Sequence, residues 1–339
     1  MDAAVITDYV INLLAIVWEA LPFIIFGALI AGILEEVLPQ QALANLLPKQ
    51  AILGILMGGA LGLIFPMCEC GIVVVMRRLL RKGLPLSCCV AYMLAGPILN
   101  PIVLGSTFVA FKDHTTKAGL ELGWTMVALR AGLGFTVACI TAFVVHLLAK
   151  RSKPEELLKP TALGDMAAAT PKAFSLNVVE EAAKPKEAWW PRIIRISNTA
   201  LSDFIDITVF LIIGSAIAAL VRADPSTIAQ LESLSITEPV LAIPLLMLLG
   251  FVLCLCSEAD AFLAASFRGM SISAKVAFLV FGPMLDIKLL LMYTRVFRVK
   301  LIATIITCVI LLVLTTSTAL HFVFNPALPS QGVISMSEK

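Results

Sequence analysis

The chain is short of charge. Of its 339 residues only 14% are Asp, Glu, Lys or Arg, while 60% are hydrophobic. A soluble domain carries roughly 25% charged residues. So large an apolar share does not fit one core, because a soluble surface must still meet water. A soluble enzyme and a disordered scaffold are thereby excluded. The net charge is only +2, which gives no bulk attraction to nucleic acid. Histidine is scarce: His114, His146 and His321 are scattered and supply no metal-ligand spacing. A Walker A loop, a G-x-G-x-x-G fingerprint, a Ser-His-Asp order and a C-x-x-C pair are all missing. ATP-driven transport by this chain alone is therefore not expected, and no cofactor is called for. The start of the chain has no basic region and no small-residue cleavage site, so no removable signal peptide is expected.

What the chain has in abundance is long apolar runs, at about 10–34, 51–65, 72–80, 84–111 and 120–148, and again at 205–221, 240–256, 259–267, 272–292 and 301–322. Runs near 20 residues become spanning helices when the solvent is lipid. They are continuous rather than alternating, which disfavours a barrel. The expected class is an all-α integral membrane protein with roughly 8–10 membrane segments. The eight cysteines lie within or beside these runs, unlike a secreted disulfide framework. Between the two sets of runs the composition turns polar, basic and Pro-containing. The expected organisation is a first membrane repeat at 1–149, a cytoplasmic linker at 150–197, a second membrane repeat at 198–325 and a tail at 326–339.

The halves repeat. A shift of 186 residues places Phe65 on Phe251, Cys68 on Cys254, Cys70 on Cys256, Gly83 on Gly269, Ser87 on Ser273 and Gly96-Pro97 on Gly282-Pro283 without a gap, and Asn100 falls on Asp286. Ten identities fall within residues 65–101. Such internal repeats are a transporter signature. Charge favours an inverted relation between them. If each Cys-x-Cys segment doubles back as a hairpin, Arg77, Arg78, Arg81, Lys82, the linker, Arg295, Arg298 and Lys300 share one side. The other side keeps little besides Lys112, Lys117, Arg222, Arg268 and Lys275. The positive-inside rule then makes the first side cytoplasmic.

Three places carry chemistry. Phe65-Pro66-Met67-Cys68-Glu69-Cys70-Gly71 breaks an apolar run: Pro66 removes a donor, and Gly71 tolerates unusual backbone. Broken backbone at membrane depth must be buried in protein or line a wet cavity. Thiols at Cys68 and Cys70 around the Glu69 carboxylate form a soft, anionic group suited to thiophilic species. Cys254-Leu255-Cys256-Ser257-Glu258-Ala259-Asp260 repeats the spacing and moves the acids beyond it. Intramembrane carboxylates usually face a partner or a pathway. The third place is the paired Gly96-Pro97…Asn100 and Gly282-Pro283…Asp286 with Lys288, where each proline frees a carbonyl in mid-run. Asp286 and Lys288, two apart, would not share a helix face. Asn100 and Asp286 are expected to line a cavity at the repeat axis. One working thiol per Cys-x-Cys is expected, since neighbours two apart on a helix point different ways. Glu19, Asp203 and Asp206, in the first helix of each repeat, suit either a proton relay or a cap. Cys88, Cys89, Cys139 and Cys308 read as packing.

These motifs together, from Pro-Met-Cys-Glu-Cys-Gly through Ala-Gly-Pro-Ile-Leu-Asn-Pro to Cys-x-Cys-Ser-Glu-Ala-Asp and Gly-Pro-x-x-Asp-x-Lys, resemble the predicted permease family of the ArsP/YraQ type. The resemblance spans nearly all the chain outside the linker and tail. It implies an efflux permease, in some members for trivalent organoarsenicals. It marks Cys68, Cys70, Asn100, Cys254, Cys256, Glu258, Asp260, Asp286 and Lys288 as the positions to watch. The reading is a secondary permease of the bacterial inner membrane exporting a soft thiophilic species. Protonation of Glu69, Glu258, Asp260 or Asp286 would couple it to the proton gradient. The partners are the bilayer, a small-molecule or metalloid substrate and protons, not nucleic acid. A membrane thiol–disulfide oxidoreductase, or a carrier of a sulfur compound or other small anion, stands as the alternative.

Overall fold

The computed structural model describes residues 3–37, 50–65, 67–112, 121–159, 189–222, 241–267 and 270–324. Most of the expected linker, the tail and Pro66 lie outside them; for Glu19, Asp203 and Asp206 only the backbone is described. In chain order the helices are α1 (Ala3–Val37), α2 (Ala51–Ile64), α3 (Glu69–Arg81), α4 (Leu86–Leu99), α5 (Pro101–Phe111) and α6 (Leu122–Arg151). There follow a single turn α7 (Pro154–Leu157), then α8 (Trp189–Arg222), α9 (Ala242–Leu253), α10 (Asp260–Ser266), α11 (Ile272–Met284), α12 (Ile287–Val296) and α13 (Val299–Phe324). Helix α8 begins at Trp189, inside the stretch that composition assigned to the linker.

Among the described residues five helical stretches are long and apolar enough to cross a membrane: 6–30, 86–111, 122–151, 272–296 and 299–323. Two of them are interrupted. Pro97 and Pro283 lie inside α4 and α11, which end two residues and one residue later. Asn100 and Asp286 then restart the chain as the N-caps of α5 and α12: Asn100 accepts the Ile102 amide at 3.0 Å and Asp286 that of Leu289 at 2.6 Å. The broken spans are 78% buried, whereas no other span exceeds 33%. Apolar side chains such as Leu14, Trp18, Ile140 and Leu311 stand exposed on α1, α6 and α13. This is a core of broken helices inside a ring of continuous ones, with the outer faces suited to lipid.

The first Cys-x-Cys segment doubles back. Glycines let α2 press on α4: a Cβ on Gly58 would lie 2.5 Å from the Cys88 carbonyl oxygen, and one on Gly62 2.5 Å from Gly96 Cα. Both helices therefore rise in the same direction. Helix α3 ends one short turn before α4 begins, and Ile72, near its start, meets Gly96, near the end of α4. Helices α3 and α4 are thus antiparallel, and α2–α3 is a hairpin whose tip holds Met67 and Cys68. At about 1.5 Å per residue, the 14 residues of α2 reach only part-way through a hydrocarbon core of about 30 Å.

The end of α6 is fastened to the far half. The Lys159 amide donates to the Val296 carbonyl at 3.0 Å and the Arg298 amide to that of Leu157 at 2.9 Å. Lys300 reaches Ser152 and Glu156. Residues 152–159 and 296–300 therefore share one end of the molecule with the turn that starts α4. From that end α4–α5 runs away and α11–α12 returns.

Candidate functional site

Of the helix pairs through which the two halves pack, two carry the site: α3 with α12 and α10 with α5. At the first, Glu69 opens α3 and lies buried against Lys288 of α12, with Nζ 2.9 Å from Oε1. Lys288 also donates to the Cys254 carbonyl at 3.2 Å, and sits 3.6 Å from Asp286 Oδ2. The Asp286–Lys288 contact departs from the helical-face expectation for a simple reason. Asp286 is an extended cap outside the helix, at φ −138° and ψ 175°, so the i,i+2 rule does not govern it.

At the second, Arg130 of α6 is fully buried. Its Nη1 donates to Thr107 Oγ1 at 2.8 Å, and its Nη2 to the Ser257 carbonyl and to Asp260 Oδ2, each at 2.9 Å. Ser257 joins the two pairs. Its hydroxyl donates to Glu69 Oε2 at 3.1 Å and its amide to the same oxygen at 3.4 Å, while its carbonyl takes Arg130. A single buried chain of charge thus runs Asp286–Lys288–Glu69–Ser257–Arg130–Asp260. In each inter-half ion pair one half supplies the acid and the other the base, and the roles are exchanged between the two pairs.

The thiols border this chain unequally. The Cys68 thiol interacts with those of Cys256 and Cys70. Cys70 Sγ lies 3.9 Å from Glu69 Oε1, and Cys256 Sγ 3.3 Å from Glu258 Oε2. Cys254 is set apart from the other three thiols but not from the charges: its thiol lies beside Asp286, Lys288 and the start of α12, 3.5 Å from the Phe251 carbonyl, and it packs with Ile16 and Ile287. The first motif thus brings both thiols to the cluster around Cys68 and the second brings one, Cys256. All eight cysteines are free thiols. Among the described residues no three His, Cys, Asp or Glu side chains converge on a metal-binding point. Asn100 and Asp286 are both buried, each hydrogen-bonded to the helix it caps. Gly71 lies against Gly27 of α1, where an added Cβ would come within 2.9 Å of Gly71 Cα.

Sequence reasoning missed Arg130, Thr107 and Ser257. Arg130 had a signal: it is the one charged residue of the 120–148 run besides Glu121, and a cation inside a spanning helix needs a partner there.

Residues 9–322 match the family described as predicted permease (ArsP_1). The chain belongs to this permease family. It is 35% identical over 310 residues to the UPF0718 protein YcgR of Bacillus subtilis (strain 168), covering 90% of this chain and 94% of that protein. It is 34% identical over 290 residues to a Streptococcus mutans protein named as a subunit of a two-component membrane permease complex, covering 85% of this chain and 87% of that one. No solved structure matches. Family and fold agree on a multi-pass membrane permease.

Proposed function

We propose that this permease exports a soft, thiophilic species, such as a trivalent organoarsenical or another metalloid, across the bacterial inner membrane in exchange for protons. The observation that carries the reading is the meeting of Cys68, Cys70 and Cys256 from both halves beside the buried Glu69–Lys288 pair. Thiols at the tip of a hairpin offer a soft cargo transient ligands, and polar groups at broken helices are the usual midplane site of secondary carriers. The linker is cytoplasmic in this reading, because the positive-inside rule assigns the side rich in basic residues, those of the linker with 77–82 and 295–300, to the cytoplasm. Two inverted halves would then rock about the seam. The Streptococcus mutans relative's name supports a second membrane chain as partner.

The test is the accumulation of a trivalent phenylarsenical in cells lacking their own arsenical efflux, at matched expression of four single Cys→Ser variants. Cys68→Ser, Cys70→Ser and Cys256→Ser should each raise accumulation toward that of cells without the protein, by about tenfold for a lost ligand. Cys254→Ser should stay near wild type. Four variants that all export like wild type would remove the soft-ligand mechanism and leave recognition to the carboxylates and Lys288, as for a harder anion.

A further inference from the structure

The buried carboxylates differ in how their oxygens are used. Both oxygens of Glu69 are committed, Oε1 to Lys288 and the Cys70 thiol and Oε2 to the amide and hydroxyl of Ser257. Asp286 spends Oδ1 on the Leu289 amide; its Oδ2, 3.6 Å from Lys288 of the same half, is buried without a hydrogen-bond partner among the described residues. Asp286 makes no hydrogen bond of its own to the other half. Asp260 uses only Oδ2, on Arg130 of the other half. Its Oδ1 is buried without a hydrogen-bond partner among the described residues, and so is Arg130 Nε. Asp260 and Asp286 thus share an unsatisfied oxygen, which leaves the charged form of each incompletely held; of the two, Asp260 is the one whose ion pair crosses between the halves.

We propose that Asp260 is the proton-carrying group of the transport cycle. This rests on the proton-coupled reading above and assigns its site. A proton added at Oδ1 makes a neutral acid and cancels the attraction to Arg130, which keeps Thr107 and the Ser257 carbonyl. The tie between α6 of the first half and the 257–260 segment of the second then slackens. Loss of the proton restores it, so the junction between the halves tightens and loosens with each proton carried. The charged and titratable groups around Asp260 are few. Arg130 faces it from α6, and Glu69 lies beyond Ser257 at the start of α3. Cys256 and Glu258 precede it on its own segment. Helix α5 has no titratable residue, and the single charge of α11, Lys275, sits over the Phe111 ring at 5.7 Å.

The experiment uses the full chain in liposomes. Infrared spectra recorded across a pH titration should show a carboxylic-acid carbonyl band in the wild type that Asp260→Asn removes and Glu69→Gln keeps. Arg130→Lys should keep the band and move its midpoint by about one pH unit, because an ammonium cannot reproduce the guanidinium fork. In the same vesicles an imposed gradient of one pH unit should drive about tenfold accumulation of the phenylarsenical if one proton is coupled. Asp260→Asn should lose that accumulation. A band of unchanged size and midpoint in Asp260→Asn overturns the proposal; should that variant fail to fold, an unchanged midpoint in Arg130→Lys does so. Absence of arsenical movement in the wild type, with the titration as expected, refutes the substrate and leaves the proton site standing.

Discussion

After α2 the chain breaks for four residues, Cys68 stays extended, and a helix of 13 residues starts at Glu69. After α9 it breaks for six, Cys254 enters the left-handed region at φ 49°, and the helix that follows has only seven residues. Both breaks are written around the same Cys-x-Cys. The shorter one presents a carboxylate at the first turn of its helix. The longer one presents backbone, and Ser257 uses its amide, hydroxyl and carbonyl to link the two ion pairs. The flanking helices differ in the same sense. Where α2 has Gly58 and Gly62 against α4, the matching positions of α9 hold Pro244 and Leu248. These line an apolar cavity of about 350 Å³ between α9, α11, α12 and α13. The first half is a tight cradle and the second a looser arm; one motif duplicated in sequence has specialised in structure.

The largest effect that separates the halves should come from the ion pairs. Lys288→Met leaves Glu69 buried and uncompensated, which costs about 3–5 kcal/mol. The thermal transition of the purified protein should fall sharply and recover in Lys288→Met with Glu69→Gln, whose neutral partners need no countercharge. Arg130→Met should cost less, because Asp260 has one oxygen unsatisfied already and can take a proton. Equal losses at both pairs would erase the distinction between cradle and arm.

A smaller effect should separate the glycines. Gly62→Ala drives a methyl against Gly96 backbone at 2.5 Å, an overpacking of about 1–3 kcal/mol. Gly250→Ala meets the edge of the Phe278 ring at 3.3 Å, which a small ring movement absorbs. The transition temperature should fall for the first and hold for the second. The smallest effect belongs to Cys254→Gly. It frees a left-handed residue of about 1 kcal/mol of strain, and the same measurement should show a transition unchanged or slightly raised. A clear loss there would give Cys254 a role that its packing does not show.

The membrane class, the repeat and the two proline breaks were legible because each rests on a local rule: run length, residue identity at a fixed shift, and a ring that cannot donate. The acids were legible as intramembrane charges. Their partners were not. Asp260 pairs with Arg130 across 130 positions and Glu69 with Lys288 across 219, and no periodicity reports contacts at that range. The Asp286–Lys288 contact escaped because the reading assumed a helix where the chain is extended. The asymmetry of the thiols escaped because equal spacing says nothing of the left-handed turn at Cys254, whose thiol sits beside Asp286 and Lys288 rather than with the other three.

The strap formed by residues 152–159 has one further consequence. It ends on the Val296–Lys300 corner by backbone hydrogen bonds of its own, and the halves also interlock through α1 with α8, α6 with α13 and the two ion pairs. The covalent connection between the halves is therefore not what keeps them together. A gene divided within the stretch that encodes residues 160–188 would yield two polypeptides with every one of these contacts intact, so the permease could be built by co-assembly as readily as by a single reading frame.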